Sequence, residues 1–521
     1  MAEKFHNLRP DDWRNQNEPL NQDDSPAEAE SLDKEALAAL LSSGLIVGPD
    51  PAIIAEVKAA PDPIVQLAND SALEAQVNQI YREIISRAPE HQVQPSLERV
   101  RACLDLLGNP QDSYRAIHIT GTNGKTSTAR MIEALLRERG LRTGRFTSPH
   151  LNSVRERIAI DGKAISPANF IDAWEDVRPV IELVDARSQA AGGPRLSFFE
   201  VFVVMAYSAF SMAPIDAAVV EVGMGGRWDA TNVINADVSV LMPIALDHQQ
   251  WLGDTVEDIA AEKLGILKPG KTLVTAHQLP NIAEMITADV REKKAQLLAA
   301  GRDFALLSRE RAVGGQMLTV RTPAAVYEDI PLAMFGEYQA ENAAVALNAV
   351  EAFFGGGSLP GEVVEHALMT VKSPGRMEVV KGSPVIIVDA AHNPAGAKVS
   401  AQTLEENFPG PRAAVYAAMA DKDIEGVLAE IEPAFAAIVV TQMGGERAAD
   451  AEDIARIACE VFGEDRVSVE PDLGNAISTA VDLAETADPE AIAPASVVVL
   501  GSIQLAAAAR ELLGAYRPDQ G

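Results

Sequence analysis

The stretch that most constrains the fold is AIHITGTNGKTSTARMIEALL, residues 116–136. An apolar strand runs into a glycine-rich turn and then into an amphipathic helix, the sequence form of a phosphate cradle. Gly121 and Gly124 let backbone N–H groups face anionic oxygens, Lys125 reaches toward terminal phosphates, and Thr126 or Ser127 sits beside a magnesium ion at the helix start. The spacing departs from the usual P-loop, because Ile119 stands where the first glycine is expected. An ordinary glycine-rich strand-to-helix turn is the competing reading.

With 521 residues and 47% hydrophobic content, the chain can build two or three packed domains. The N-terminus lacks a secretory apolar core, and the longest apolar run, VFVVMAYSAF at 201–210, falls well short of the ~20 residues of a bilayer span. A cytoplasmic protein is expected. Cys103 and Cys459 are far apart and lack metal-ligand spacing, so they read as packing residues. A formal net charge of −31 opposes binding to nucleic acid and favours a small-molecule substrate. If that substrate is anionic, magnesium and a few Arg or Lys residues must overcome the field locally. No repeated apolar surface stripe calls for a partner, so a monomer is expected.

Residues 1–70 are expected to be an acidic, largely disordered extension, with a helical segment at 31–42 ended by Gly44 and GPDP at 48–51. Helical apolar spacing follows at 71–89 and 95–108. Beyond the phosphate-type strand, β-branched runs recur at 217–222, 238–244 and 271–276. A second series, PVIIVDA, AAVYAAMA, AAIVVT and SVVVLGS, begins near 384. This is an α/β pattern with largely parallel sheets, divided near VKSPGRMEVV at 371–380 into domains at 71–372 and 373–521, with the site in the cleft between them.

Polar clusters stand where those strands end, the position at which open α/β sheets place ligands. Thr147, Ser148, Pro149 and His150 form a hydroxyl-bearing turn before Arg155 and Arg157, with a plain proline turn and solvated arginines as the alternative. Glu221 ends a buried run ahead of Gly223, Gly225, Gly226, Arg227 and Asp229, as a magnesium ligand or a partner of Arg227. Asp247 and His248 follow another run, with Lys263 in a later helix. In the second half stand Gln339 and Asn342 near a helix start, then Arg376, Asp389, His392 and Asn393. There Asn342 could merely cap, and Arg376 could form an interdomain ion pair.

The ordered set TGTNGKTST, TSPHL, EVGMGGRWDATN, LDHQQWLG, EKLGILKPG, PGRMEVV, DAAHNP, ADKD and GSIQLAAAAR resembles the folylpolyglutamate and dihydrofolate synthases of the Mur ligase superfamily over roughly residues 90–505. The resemblance implies a P-loop ATPase-like Mur ligase central domain and a smaller Rossmann-like α/β C-terminal domain. The implied enzyme uses ATP and Mg2+ to join L-glutamate to a folate, or to dihydropteroate, through an acyl phosphate. Carried over by motif, Thr122, Asn123, Gly124, Lys125 and Thr126 form the ATP phosphate loop. Asn342, Arg376 and Asp389 add ATP contacts, and His392 neighbours the γ-phosphate. Ser148, Glu221 and His248 are implied magnesium ligands, and Lys263 a lysine carried as a carbamate that holds a second ion. Lys125, Lys263, Asp389 and His392 are the implied catalytic set. Phe198, Phe199, Glu200, Trp228, Asp229 and Ala230 are implied at the pterin end, although LSFFEVFVV also reads as a buried apolar run. The chain departs from the pattern at Ala245 and Ala390, where glycine is common, and at Tyr338, where histidine often stands, which bears on the adenine contact. A Mur-type ligase of a cell-wall nucleotide precursor and a non-catalytic nucleotide-binding protein are the alternatives.

Overall fold

The computed structural model describes residues 63–89, 96–445 and 447–516. The acidic extension up to residue 62, including the helix expected at 31–42, lies outside the described residues. The chain divides after Ser71, and the architecture below is that of the unit from Ala72 to Gly521.

Eight strands form the first sheet: β1 (Arg115–Thr120), β2 (Thr143–Phe146), β3 (Ile158–Ile160), β4 (Lys163–Ala164), β5 (Ala217–Glu221), β6 (Val238–Leu241), β7 (Thr272–Thr275) and β8 (Gln296–Ala299). Their order is β4-β3-β2-β5-β1-β6-β7-β8, parallel except for β3 and β4 at one edge. A parallel sheet needs helices on both faces, and the sequence supplies them. Ile117 and Ile119 of β1 enter the core shared with helices Lys125–Glu138 and Glu337–Phe353, while Ala116 enters the core on the other face, shared with helix Phe198–Met212. In that last helix every side chain from Phe198 to Phe210 is buried, which is why its sequence is apolar all round instead of striped.

Three further strands, β9 (Ala305–Ala312), β10 (Gly315–Arg321) and β11 (Val326–Leu332), make a small antiparallel sheet that sequence patterning alone does not announce. Its Leu318, Val320, Tyr327, Ile330 and Leu332 complete the core over helix Glu337–Phe353.

The second large sheet contains β12 (Glu378–Gly382), β13 (Val385–Val388), β14 (Arg412–Tyr416), β15 (Ala437–Val440), β16 (Val467–Val469) and β17 (Ser496–Leu500). Their order is β12-β13-β17-β14-β15-β16, with only β12 antiparallel. Separate apolar cores cover its two faces. The two lobes meet through apolar contacts, Phe335 and Leu151 packing against the cores of the second sheet, and through polar ones: Asn152 Nδ2 donates to the Ala507 carbonyl at 2.9 Å, Arg510 donates to Asn152 Oδ1 at 2.6 Å, and the Ser127 and Ser373 hydroxyls lie 3.0 Å apart.

Candidate active site

β1 ends in Gly121, whose φ of 147° carries the chain past β6 so closely that a Cβ would stand 2.5 Å from the Met242 Cβ. Gly124 then adopts the left-handed region at φ 86° and starts helix Lys125–Glu138. A side chain there would collide with Asn342 Oδ1 at 2.8 Å, so this glycine lets Asn342 approach the loop. Asn342 lies within helix Glu337–Phe353, whose N-cap is Gly336, and its amide donates to Gln339 Oε1 at 3.1 Å. It is not a cap.

Lys125 Nζ bends onto its own loop, donating to the carbonyls of Gly121 at 3.0 Å and Thr122 at 3.1 Å. Burial pushes its pKa down, opposed by the charges of Glu221, Asp247 and Asp229, while Arg376 of the second lobe pushes it further down. Lys125 therefore gathers one electrostatic neighbourhood from both lobes.

Within it, Glu221 at the end of β5 is 1% exposed and accepts from Thr126 Oγ1 at 2.9 and 3.1 Å and from the Ser148 backbone N–H. Burial raises its pKa, and Lys125, Thr126 and Arg376 resist that rise. Arg227, the alternative partner, instead faces Glu262 at 3.7 Å.

Asp247, His248 and Lys263 form a second group, lining one crevice with Gly121, Thr122, Lys125, Gly223, Met224 and Leu252. The crevice is small and lies directly beside the loop carbonyls that Lys125 holds. Burial lowers the pKa of Lys263 to about 7, helped by Lys125, and its Nζ donates to the Gly121 carbonyl at 2.9 Å. His248, held at φ 52°, is exposed at the mouth of the crevice, with Nε2 3.8 Å from Asp247 Oδ2. Burial works to raise the Asp247 carboxyl, yet His248, Lys422, His392 and Lys125 hold it below its usual range. Lys422 Nζ of the second lobe lies 3.3 Å from Asp247 Oδ1 and is its lysine ion-pair partner. Lys422 is the site residue that motif reading passes over, although it stands in the ADKD segment.

From the second lobe, Asp389 is anchored by the backbone N–H groups of Met377 at 3.0 Å and Ala391 at 2.7 Å, with Arg376 electrostatically adjacent. His392 Nδ1 lies 2.9 Å from the Ala390 carbonyl and must carry the proton there, since a carbonyl only accepts. Burial lowers the pKa of this imidazole to about 4. Asn393 caps the next helix and donates to Asn123 Oδ1 at 3.3 Å, tying the phosphate loop to the second lobe.

The six residues expected at the pterin end fall in two places. Phe198 and Phe199 are core residues of the first lobe, and Glu200 is committed to the Ser197 capping box and to Arg99 at 2.9 Å. Asp229 and Ala230 are buried in the loop beyond β5, and the Trp228 N–H is held by Glu262 Oε1 at 3.1 Å. Arg155 and Arg157 are buried as well, Arg155 paired with Glu74 at 2.6 Å and Arg157 bonded to His150 Nδ1 at 3.0 Å.

For magnesium, the donor set fits a hard ion: one buried carboxylate, Glu221, with the hydroxyl-bearing Thr126 and Ser148 beside it. Among the described residues no cluster of three or more His, Cys, Asp or Glu side chains gathers.

Residues 202–350 match the Mur ligase middle domain, and residues 375–502 the Mur ligase glutamate ligase domain. A dihydrofolate synthase/folylpolyglutamate synthase of Mycobacterium tuberculosis is 46% identical over 84% of this chain and 94% of its own length, and one from Bacillus subtilis is 31% identical over 70% and 84%. The crystal structure of the M. tuberculosis folylpolyglutamate synthase complexed with ADP and AMPPCP superposes with a TM-score of 0.81 at 45% identity, covering 87% of this chain and all of that one. The Thermotoga maritima folylpolyglutamate synthase gives 0.72 at 31% identity, with 86% and 99% covered. The chain belongs to the folylpolyglutamate synthase/dihydrofolate synthase family of Mur ligases.

Proposed function

We propose that this protein is an ATP- and magnesium-dependent ligase that adds L-glutamate to folates, and also to dihydropteroate, through an acyl phosphate. The observation that carries the reading is that Lys125, Asp247, His248 and Lys263 line one crevice, with Glu221 bonded to Thr126 of the phosphate loop and Asn393 of the second lobe reaching Asn123 of the same loop.

A carboxylate resists nucleophiles because it is already anionic, so it must first be given a leaving group. In the first step a carboxylate oxygen attacks the γ-phosphorus, the bond to ADP breaks, and an acyl phosphate forms. The chain's work here is electrostatic and positional. Lys125 exchanges its loop carbonyls for phosphate oxygens, the glycine-turn N–H groups point at them, and Arg376, Asn342 and Asp389 orient the nucleotide from the far side. Magnesium, when bound, would neutralise the transferring oxygens, and Glu221, Thr126, Ser148 and His248 would hold it. In the second step the glutamate amine attacks the acyl carbon, inorganic phosphate leaves, and the amide nitrogen gives up its proton. His392, with its Nδ1 proton fixed on Ala390, is assigned beside the γ-phosphate.

Lys263 suits carbamate formation. Its amine, at about 7, is partly unprotonated at neutral pH and can add to CO2 with loss of a proton, and the resulting anion would be able to hold a second cation. Asp229, Trp228 and Ala230, with Phe198, Phe199 and Glu200 behind them, are assigned to the pterin end. The reading also carries a domain division into 71–372 and 373–521, a monomeric cytoplasmic enzyme and no nucleic-acid partner, the last supported by a net charge of −31. No described helix is long and apolar enough to cross a membrane.

The test is ADP release with L-glutamate and, in separate reactions, tetrahydrofolate, dihydropteroate or a UDP-muramyl substrate. Turnover with either pteridine is expected. Turnover with the muramyl compound alone would transfer the protein to cell-wall synthesis, and nucleotide binding without any turnover would make it a sensor.

A further inference from the structure

On the face of β1 turned away from helix Lys125–Glu138, two polar side chains are buried, His118 and Thr120. Both reach the loop that follows β5. Thr120 Oγ1 donates to the Gly225 carbonyl at 2.7 Å, and His118 Nε2 lies 2.9 Å from Thr231 Oγ1. The Thr231 hydroxyl in turn donates to Asp229 Oδ1, which also accepts from the Thr231 N–H at 2.9 Å, while Asp229 Oδ2 accepts from the Met224 N–H at 3.0 Å. The Tyr207 hydroxyl fixes the Thr231 carbonyl at 2.7 Å.

Proton counting settles the direction of this chain. An ionised carboxylate only accepts, so the single proton of Thr231 is spent on Asp229, and Thr231 Oγ1 is left to accept from His118. The His118 proton is therefore on Nε2, and Nδ1 keeps its lone pair, with no partner among the described residues. Protonating Nδ1 would bury an unanswered donor and a charge, in line with a pKa pushed down by burial to about 3. The imidazole is a one-directional donor to Thr231.

What it steadies is close to the chemistry. Asp229 acts electrostatically on both Lys125 and Lys263. The loop it caps presses on the Lys263 backbone, where a Cβ on Gly226 would meet the Lys263 carbonyl at 2.8 Å, and the Arg227 N–H donates to the Glu262 carbonyl at 2.9 Å.

We propose that His118 is a positioning residue for the ligase reaction: through Thr231 it fixes the Asp229 carboxylate and so keeps the 223–229 loop seated against Lys263. The proposal rests on the ligase reading given above, but its first test does not. In the intact protein, nitrogen-15 NMR of the histidines at pH 7 is expected to show His118 as a neutral Nε2–H tautomer, whatever the protein turns over. An Nδ1–H tautomer or an imidazolium would overturn the chain as drawn.

The second test is kinetic. His118→Leu removes the donor, Thr231→Val removes the relay, and His118→Gln keeps a donor of similar reach. The first two are expected to raise KM for the pteridine substrate about tenfold, leaving KM for ATP unchanged, and His118→Gln to recover most of the loss. On an Asp229→Asn background, His118→Leu should add nothing, because both changes act on one contact. Unchanged pteridine KM in the folded variants, or a full further loss on the Asp229→Asn background, would overturn the proposal. Should His118→Leu fail to fold, Thr231→Val carries the same comparison.

Discussion

Lys263 is 4% exposed, and among the described residues its ammonium has the Gly121 carbonyl for a hydrogen-bonding partner. Its pKa falls from 10.5 to about 7, so between those values the unfolded chain holds a proton that the folded chain lacks. Stability therefore rises with pH across this window, and below about 7 the full penalty is present. The displacement corresponds to at most about 5 kcal/mol. Lys263→Met keeps the aliphatic stem, removes the buried charge and gives up one hydrogen bond of about 1 kcal/mol. The variant should thus be more stable than the parent at pH 7 by about 2–4 kcal/mol while being inactive. Calorimetry at pH 6.5, 8 and 9.5 in CO2-free buffer should show a transition raised by several degrees, with the advantage shrinking as pH rises. Adding bicarbonate should stabilise the parent and leave Lys263→Met unmoved. A variant less stable than the parent at pH 7, or an advantage independent of pH, would refute the argument that burial makes this amine reactive.

Lys125→Ala removes the cation on which both groups of charges converge, and turnover should fall at least about a thousandfold with folding intact, as read by ADP release and circular dichroism. Glu221→Gln keeps the bonding reach toward Thr126 but loses the anionic ligand, so the magnesium concentration for half-maximal activity should rise at least about tenfold. Lys422→Met breaks the interlobe pair with Asp247, and small-angle scattering should report a larger radius with a lower kcat, whereas unchanged scattering would make the pair incidental.

Much of the architecture could be read before the coordinates because burial on both faces forces parallel strands to be continuous β-branched runs: AAVVE, VSVL, VIIV and SVVVL all became strands. The phosphate loop was legible for a similar reason, since few side chains satisfy a left-handed turn at Gly124 beside Asn342. The antiparallel β9–β11 sheet escaped notice because its exposed face is charged and its apolar positions alternate, a weaker signal despite the Gly314–Gly315 turn. Arg155 and Arg157 could be taken for solvated arginines because burial by Glu74 and His150 is a tertiary fact. The Asp247–Lys422 pair spans 175 positions and leaves no local trace. His118 in a buried strand looks like an accident until Thr231 and Asp229 are seen beside it.

The central claim is that the side chains around Lys125 transfer a phosphoryl group to a pteridine-linked carboxylate. It is tested most directly by labelling that carboxylate with oxygen-18 and following the label through one turnover with ATP and L-glutamate. Formation of an acyl phosphate predicts one labelled oxygen in the inorganic phosphate for each amide made. Amide formed with unlabelled phosphate would contradict it.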